Sequence, residues 1–285
     1  MEDNSYIDLH CHSTASDGSL SPGDLVRMGR DKGLKAIAIT DHDTVEGVPA
    51  ALEAGIELGF EVVPGVEISA EMSFGTMHIL GYYVDHNAPG ILVPLNTLQN
   101  SRETRNHEIV KKLRSMHMEI TYDEVLGLAQ DGQVGRPHFA RLLLQKGFVS
   151  TIQDAFDNYL KKGRPAYVDK FRFDPAEAIR IIKDAGGMAV LAHPGSLRKS
   201  PADLETLVSE LKSAGLNGLE VIYSDHTNEQ TRQYQKICSK FGLLATGGTD
   251  YHGSYKPEIA IGRGRGGLRI PYELLAEMKK ARQKQ

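Results

Sequence analysis

The sequence predicts an α/β fold in which βα units repeat around a parallel sheet, with one helical segment inserted into the series. Short apolar runs alternate with amphipathic segments of helical period along most of the chain. This alternation is the pattern of repeated βα units. It stops between residues 87 and 168, where two long helical segments follow each other with no strand between them.

Seven apolar runs have the length and composition of strands. In chain order they read YIDLHCH, KAIAITDH, EVVPGVEIS, TMHILGYYV, GMAVLAHP, GLEVIYS and LLATGGTD. The carboxyl ends of parallel strands meet at one common edge, where folds of this class form their sites. Polar residues that end these runs are therefore candidates for a shared site.

Five segments between the strands carry helix signals. They are SPGDLVRMGRDKG, TVEGVPAALEAGIELG, DPAEAIRIIKDAGG, PADLETLVSELKSAG and TNEQTRQYQKICSKFG. The first places Ser21 at the N-cap and Pro22 in the first turn. Asp43 stands directly before the second, and we interpret it as the N-cap of that helix. Several segments end in glycine, which suits a left-handed C-cap.

The inserted segment divides the chain into two predicted domains. Residues 1–86 and 169–285 form the βα domain, and residues 87–168 form a helical insertion. The insertion is long enough to fold as a small subdomain of its own. We expect it to cover part of the βα domain.

Composition excludes several classes of protein. A formal net charge of -4 provides no global positive field for nonspecific adhesion to nucleic acid. The two cysteines, Cys11 and Cys238, are too few for a disulfide framework or an all-thiolate zinc site. No run approaches the roughly 20 apolar residues of a membrane span. We expect a soluble cytoplasmic protein with no membrane association and no obligate protein partner.

Metal-ligating side chains recur at the ends of the predicted strands. His10 and His12 lie two residues apart in the first strand, so both side chains point to one face while that of Cys11 points to the other. The other candidates are Asp17, His42, Glu67, His78, His193, Asp250 and His252. Burying six imidazoles and three carboxylates without cations would cost several kcal/mol. The sequence therefore predicts a metal centre.

Ligand chemistry narrows the kind of metal centre. Imidazole and carboxylate suit Zn, Mn or Fe(II) and argue against Cu(I) or an iron-sulfur cluster. Nine ligands, at three or four for each ion, predict three ions. We expect Cys11 to be a small buried hydrophobe. For Asp41 the sequence leaves two roles open, support of a ligand and ordinary turn chemistry.

Together these motifs resemble those of the polymerase and histidinol phosphatase (PHP) family. The matching runs are DLHCHSTASDGSLSP, AIAITDHDT, GVEIS, HILGY, AHPG and GTDYHG, which extend from residue 7 to about residue 262. The resemblance implies a metal-dependent phosphoesterase. It also implies a distorted (β/α)7 TIM-like PHP barrel with a trinuclear metal site, here with an inserted small helical subdomain.

The resemblance also implies how the ligands are shared. The first ion would take His10, His12, Glu67 and Asp250, the second Glu67, His78 and His193, and the third Asp17, His42 and His252. Some members carry His where this chain has Asp17. Mn is favoured by resemblance, while Zn, Fe or Mg stay open. We expect Glu67, Asp250 and His193 to be the catalytic ligands, and a metal-activated water would replace a Ser or Cys nucleophile.

The insertion carries the residues that we expect to select the substrate. They are Arg102, Arg105, Arg136, His138 and Arg164, and guanidinium groups among them could bind a second phosphate bidentately. His226 is a candidate proton donor. The chain resembles the subgroup that removes the 3′-phosphate from nucleoside 3′,5′-bisphosphates and trims short RNA from its 5′ end. The expected ligand is therefore a small nucleotide or a short oligonucleotide.

The sequence leaves three alternative functions open. A histidinol-phosphate phosphatase would need an anionic pocket for an amino alcohol, which the arginines of the insertion do not favour. A proofreading nuclease module would accompany a polymerase, which this sequence lacks. A metal-stabilised binding module without turnover would fill its coordination sites and would need no open position.

Overall fold

Seven strands form one sheet in chain order in the computed structural model, which describes residues 5–72, 77–129 and 133–284. The strands are β1 (Ile7–Cys11), β2 (Ala36–Ile39), β3 (Glu61–Ala70), β4 (Met77–Tyr82), β5 (Met188–Leu191), β6 (Gly218–Tyr223) and β7 (Leu244–Gly248). Each coincides with one of the seven apolar runs. The predicted first residue of the fourth run, Thr76, lies outside the described residues.

The residues after β7 return to β1 and nearly close the sheet into a barrel. The backbone N–H of Asp250 donates to the carbonyl of His10 at 2.9 Å, and that of His12 donates to the carbonyl of Tyr251 at 2.9 Å. The expected distorted barrel is therefore confirmed. Closure brings the end of the last strand beside the first, although about 240 residues separate them along the chain.

The sheet is parallel, as the sequence predicts, except at β4. This strand pairs antiparallel with both β3 and β5, whereas the other pairs are parallel. Residues 71–76 alone separate β3 from β4, too few for the crossover that parallel strands need. The amino end of β4 consequently lies beside the carboxyl ends of its neighbours. We call this the ligand edge of the barrel.

Ten α-helices are present among the described residues. They are α1 (Pro22–Asp31), α2 (Val48–Leu58), α3 (Pro89–Ser115), α4 (Tyr122–Ala129), α5 (Arg136–Gln145), α6 (Ile152–Ala155), α7 (Pro175–Asp184), α8 (Pro201–Ser213), α9 (Asn228–Phe241) and α10 (Glu273–Arg282). The five helices predicted between strands are present as α1, α2, α7, α8 and α9, and α10 was not predicted. Among the described helices, none is long and apolar enough to cross a membrane.

The N-cap prediction holds for Ser21 and is wrong for Asp43. The Ser21 hydroxyl accepts from the backbone N–H of Asp24 at 3.2 Å, as a cap does. Helix α2 begins at Val48, with Gly47 at its cap. Asp43 instead continues alongside β3, where its N–H donates to the carbonyl of Glu67 at 2.9 Å. The side chain of Asp43 therefore extends to the insertion, where it contacts Arg102.

The insertion has a hydrophobic cluster of its own. That cluster lies within residues 109–166 and includes Leu113, Val125 and Phe139. The first half of α3 packs differently, because Leu95 and Leu98 belong to the cluster between the barrel and its outer helices. The long helix α3 thus joins the two parts of the protein. The domain division at residues 87 and 168 stays a prediction.

Candidate metal centre

Four donor groups converge inside the ligand edge around one point. The Nε2 atoms of His10 and His12 each lie 3.2 Å from Glu67 Oε2. Asp250 Oδ1 lies 3.1 Å from His12 Nε2 and 3.5 Å from His10 Nε2. Both imidazoles are fully buried. Strand β1 therefore directs two co-facial imidazoles at two carboxylates, as the spacing of His10 and His12 predicts.

The second oxygen of Glu67 faces a different group. Glu67 Oε1 lies 2.7 Å from His78 Nδ1 and 3.0 Å from His193 Nε2. The two imidazole nitrogens are themselves 3.3 Å apart. His78 reaches this position because β4 is antiparallel and begins at the ligand edge. Glu67 lies within β3 rather than at its end, and its carboxylate stands between two sets of donors.

A third group lies on the other side of His12. Asp17 Oδ1 is 3.3 Å from His252 Nε2 and 3.7 Å from His12 Nδ1. One donor atom from each of His12, Asp17, His42 and His252 lies within 4.8 Å of the others. His42 Nδ1 also lies 3.1 Å from Glu67 Oε2, so this group adjoins the other two. All nine predicted ligands are brought together.

Hydrogen bonding tests whether these residues fit metal ions. Among the described residues, several buried atoms of the cluster make no hydrogen bond: His10 Nε2, His12 Nδ1, His12 Nε2, His42 Nδ1 and Glu67 Oε2. Buried polar atoms are almost always bonded in folded proteins. Imidazole and carboxylate atoms that converge in this way are the donors that divalent cations take. The residues therefore fit a metal centre.

Electrostatics keeps the carboxylates of the cluster charged. Burial alone would raise their pKa values. The imidazoles of His42 and His78 nevertheless hold the pKa of Glu67 well below its usual value. Lys256 and His252 do the same for the pKa of Asp250. The ligand edge thus presents ionised oxygen ligands to a cation.

Two of the candidate ligands have unusual backbone conformations. His193 has φ 27° and Asp250 has φ 58°, in the left-handed region that L-residues rarely adopt. Such residues cost about 1–3 kcal/mol each and are held by their surroundings. In these conformations His193 contacts Glu67, and Asp250 contacts His10 and His12.

Glu220 contacts two of the candidate ligands, and the sequence did not predict it. It is fully buried within β6. Its Oε1 lies 2.9 Å from His10 Nδ1, and its Oε2 accepts from the backbone N–H of His193 at 2.7 Å. A carboxylate on the second ring nitrogen orients a ligating imidazole. The signal was available, since a glutamate interrupts the apolar run GLEVIYS.

Two further side chains contact Asp250 and were also missed. The Tyr223 hydroxyl donates to Asp250 Oδ2 at 3.0 Å, and Lys256 Nζ donates to the same oxygen at 2.8 Å. The other oxygen, Oδ1, is the one that faces His10 and His12. The two donors therefore orient the carboxylate of Asp250 within the cluster.

Asp41 organises the turn that carries Asp17. Its carboxylate accepts from the backbone N–H and the hydroxyl of Ser13, both at 2.7 Å, and from the hydroxyl of Ser16 at 2.6 Å. Asp41 is not among the groups that could hold an ion. Asp41 therefore performs turn chemistry, and because that turn carries Asp17, it also supports a candidate ligand.

Asp43 connects the ligand edge with the insertion. It accepts from Ser69 N at 2.8 Å, from Lys170 Nζ at 2.6 Å and from the Arg102 guanidinium. Lys170 and Arg102 hold the pKa of Asp43 well below its usual value despite burial. Burial and the nearby Arg102 lower the pKa of Lys170 to about 7. Lys170 was missed because no motif marks it.

A cavity of about 230 Å³, which we call the inner cavity, opens beside the cluster of candidate ligands. Asp17, His42 and His78 form one wall. The basic side chains that line it are Arg102, Arg105, Arg136, Lys170 and Arg172. Arg105 is buried, and its Nε and Nη2 atoms make no hydrogen bond among the described residues. The inner cavity can therefore bind an anion next to the candidate metal ligands.

The other predicted substrate residues differ in position. His138 is buried and is not among the residues that line the inner cavity, and its Nδ1 accepts from the N–H of Gly135 at 2.9 Å. Arg164 is exposed in the turn that follows Gly163, and it lines neither the inner cavity nor a second cavity that shares Arg136 with it. A surface turn directs its side chain to solvent, so the structure does not support Arg164 as a substrate residue.

His226 is occupied by backbone groups. Its Nδ1 lies 3.0 Å from the carbonyl of Val221, and its Nε2 accepts from the N–H of Gly195 at 3.3 Å. These contacts hold the turn after His193 against β6. Because both ring nitrogens have partners, the structure does not support His226 as the proton donor.

Comparisons with known proteins agree with this site. The PHP domain family matches residues 8–168. A 5′-3′ exoribonuclease of Haemophilus influenzae is 38% identical over 86% of this chain and 89% of its own length. A 3′,5′-nucleoside bisphosphate phosphatase of Chromobacterium violaceum is 31% identical over 86% and 87%. A crystal structure described as a metal-dependent phosphoesterase, from Bifidobacterium adolescentis, superimposes with a TM-score of 0.86 at 30% identity, covering 98% of this chain and 96% of that one.

Proposed function

The chain belongs to the PHP domain family and is a metal-dependent phosphoesterase, and we propose that it removes the 3′-phosphate from nucleoside 3′,5′-bisphosphates. We extend the proposal to short 5′-phosphorylated RNA, whose first internucleotide phosphate occupies the same position as that 3′-phosphate. The two named relatives support this choice, because one is a bisphosphate phosphatase and the other an exoribonuclease.

The inner cavity carries the proposal. Its lining places a cluster of cations in the same cavity as His42 and His78. Arg102 is engaged by Asp43, whereas Arg105 has no carboxylate partner among the described residues. A substrate with two phosphates on one ribose would place one at the metal centre and the other on Arg105 and Arg136. Guanidinium groups suit such bidentate contacts.

We propose three divalent ions, with Mn as the resident metal. Their ligand sets would be His10, His12, Glu67 and Asp250, then Glu67, His78 and His193, then Asp17, His42 and His252. When bound, the ions supply positive charge that polarises the phosphate and lowers the pKa of water. Glu67 would bridge the first two sets, since its two oxygens face different imidazoles.

The reaction consumes one water molecule. A bond forms between the water oxygen and phosphorus, the bond between phosphorus and O3′ breaks, and O3′ leaves as a hydroxyl while inorganic phosphate is released. Asp250 and His193, with Glu67, are proposed as the catalytic ligands. Tyr223 and Lys256 hold Asp250 in place, and Glu220 holds the loop of His193.

Phosphate release tests the proposal directly. Protein reconstituted with Mn²⁺ is given adenosine 3′,5′-bisphosphate, histidinol phosphate and a 5′-phosphorylated trinucleotide. We expect the bisphosphate to give the highest kcat/KM. A preference for histidinol phosphate would replace the proposal by that phosphatase, although the cationic inner cavity suits an amino alcohol poorly. Failure to hydrolyse any of the three would leave a metal-stabilised binding module.

A further inference from the structure

A second cavity, which we call the outer cavity, continues from the inner cavity away from the metal centre. Its volume is about 430 Å³, within the usual range for small-molecule sites. Arg136, Phe156 and Arg172 line both cavities. A ligand in the inner cavity could therefore extend past Arg136 into the outer cavity.

The outer cavity has unpaired positive charge. Two carboxylates line it, and both contact Arg172, Asp169 at 2.6 Å and Glu71 at 3.9 Å. Lys162 makes no ion pair among the described residues, and Lys161 has one loose contact, 3.5 Å from the exposed Asp157.

Arg136 also lacks a carboxylate partner among the described residues. Its Nη1 donates to the carbonyl of Leu160 at 3.3 Å, and its guanidinium lies 5.5 Å from the centre of the Tyr167 ring. Arg136 and Lys162 thus line the outer cavity with no carboxylate partner among the described residues, and Lys161 has only its contact with Asp157.

We propose that the outer cavity binds a second phosphate on the 5′ side of the substrate, so that nucleoside 3′-phosphates bearing a 5′-diphosphate are also substrates. This rests on the proposed function, in which the 5′-phosphate occupies the inner cavity. A second phosphate joined to the 5′-phosphate would then contact Arg136, Lys161 and Lys162. Hydrogen bonds between a cationic side chain and a phosphate oxygen are stronger than hydrogen bonds between neutral groups.

A nucleobase is the competing occupant, because Phe156 and Tyr167 also line the outer cavity. Two observations favour the phosphate. The guanidinium of Arg136 already lies over the Tyr167 ring. A neutral base would also make no use of Lys161 and Lys162, whereas a phosphate is attracted by both.

Kinetics with matched variants tests the inference. Adenosine 3′,5′-bisphosphate is compared with 3′-phosphoadenosine 5′-diphosphate on the wild type, on Lys161→Ala/Lys162→Ala and on Lys32→Ala/Lys35→Ala. The control pair removes the same charge from exposed positions that line no described cavity. We expect the cavity variant to lower kcat/KM about tenfold for the 5′-diphosphate and less than about twofold for the bisphosphate. The control should change neither.

Equilibrium binding supplies a readout without turnover. ADP and AMP, which are the products of the two substrates, are titrated calorimetrically into the same three proteins. We expect the wild type to bind ADP more tightly than AMP, and the cavity variant to lose that preference. Equal binding of ADP and AMP by the wild type would overturn the inference, as would an unchanged preference in the cavity variant.

Two outcomes separate this inference from the proposed function. Hydrolysis of the bisphosphate without hydrolysis of the 5′-diphosphate would overturn the inference alone. Failure to hydrolyse either compound would overturn the proposed function.

A comparison of two bases tests the nucleobase as the occupant of the outer cavity. If uridine 3′,5′-bisphosphate and its adenosine counterpart differ in kcat/KM, and Phe156→Ala removes the difference, the outer cavity holds the base and the inference is wrong.

Discussion

Glu67 and His78 meet across two antiparallel strands, with Glu67 Oε1 2.7 Å from His78 Nδ1. In the register of this pair, Glu67 lies opposite Leu80 and His78 lies opposite Ser69. The two residues are thus diagonal neighbours on one face of the sheet, close enough for their side chains to touch. The other oxygen of Glu67 faces His10 at 3.2 Å. One carboxylate therefore joins two groups of imidazoles.

Glu67→Gln should remove both activity and metal. The substitution keeps the shape of the side chain but takes away the charge that faces imidazoles on both sides. We expect kcat to fall at least about 100-fold and bound metal, measured by elemental analysis of purified protein, to fall below the wild-type content. A variant with full metal content and normal kcat would refute the bridging assignment. Circular dichroism checks that the fold is retained.

Glu220→Gln should weaken metal binding without removing any ligand. Glu220 holds His10 through Nδ1 and the backbone of His193. Residues that orient ligating imidazoles contribute about 10–100-fold to metal affinity. We expect a loss of this size in a competition titration with a chelating dye. Activity should recover at raised metal concentration, whereas a purely structural role would leave the metal affinity unchanged.

Stability of the metal-free protein should depend on pH through His12. Burial disfavours its charge, but the carboxylates of Asp250 and Glu67 raise the pKa of His12 to about 9. A pKa raised on folding contributes stability that is full below the unfolded value of about 6.5 and is lost as pH rises through the folded value. We therefore expect the thermal unfolding temperature of chelator-treated protein to fall between about pH 6.5 and 9.

Restoring the metal should flatten that dependence. A bound cation replaces the proton as the partner of Glu67 and Asp250, so metal binding near pH 7.5 should also release protons. Calorimetry in two buffers of different ionisation enthalpy measures that release. An unfolding temperature of the chelator-treated protein that rises over this pH range would contradict the prediction.

Asp43→Ala should destabilise the protein far more than the loss of a helix cap. The carboxylate is fully buried with Lys170 and Arg102, and its removal leaves two cations unpaired. Breaking a buried pair costs about 3–5 kcal/mol, against about 1 kcal/mol for an N-cap. Urea unfolding measures the change in the free energy of unfolding. A loss near 1 kcal/mol would restore the N-cap interpretation of Asp43.

Asp43→Ala/Lys170→Met provides the matched control for this prediction. Removing Lys170 together with its partner leaves one unpaired cation instead of two. We expect the double variant to be more stable than Asp43→Ala alone. Additive losses in the double variant would show that the two side chains do not interact.

Arg136→Ala should change substrate selection, while Arg164→Ala should not. Arg136 lines both cavities, and Arg164 is exposed and lines neither. We expect Arg136→Ala to raise KM for adenosine 3′,5′-bisphosphate about tenfold, with a smaller effect on an aryl phosphate that has only one phosphate. Arg164→Ala should stay within about twofold for both compounds. Equal effects of the two variants would remove Arg136 from substrate recognition.

Some parts of the site could be predicted because they depend on local patterns. His10 and His12 share a face because strand side chains alternate, and no other part of the chain is needed to know this. The capping role of Ser21 likewise depends on its own turn. Glu220 was also detectable, as a charged residue within an apolar strand, but its partners were not.

The remaining features depend on contacts between distant segments. Lys170 contacts Asp43 although 127 residues of sequence separate them, so no local pattern around either residue predicts the contact. Arg164 and Arg136 have the same chemistry and similar Gly and Pro neighbours, yet one faces solvent and the other lines two cavities. Packing of the insertion against the barrel decides such differences.

The sequence by itself determined the seven strands, the βα alternation and the set of candidate imidazole and carboxylate ligands, because strand periodicity and residue chemistry are local properties. Tertiary structure alone decided the direction of β4, which brings His78 to Glu67, and the pairing of Asp43 with Lys170. It also decided which arginines reach the cavities. These features depend on which surfaces pack together, and packing joins residues that no local pattern connects.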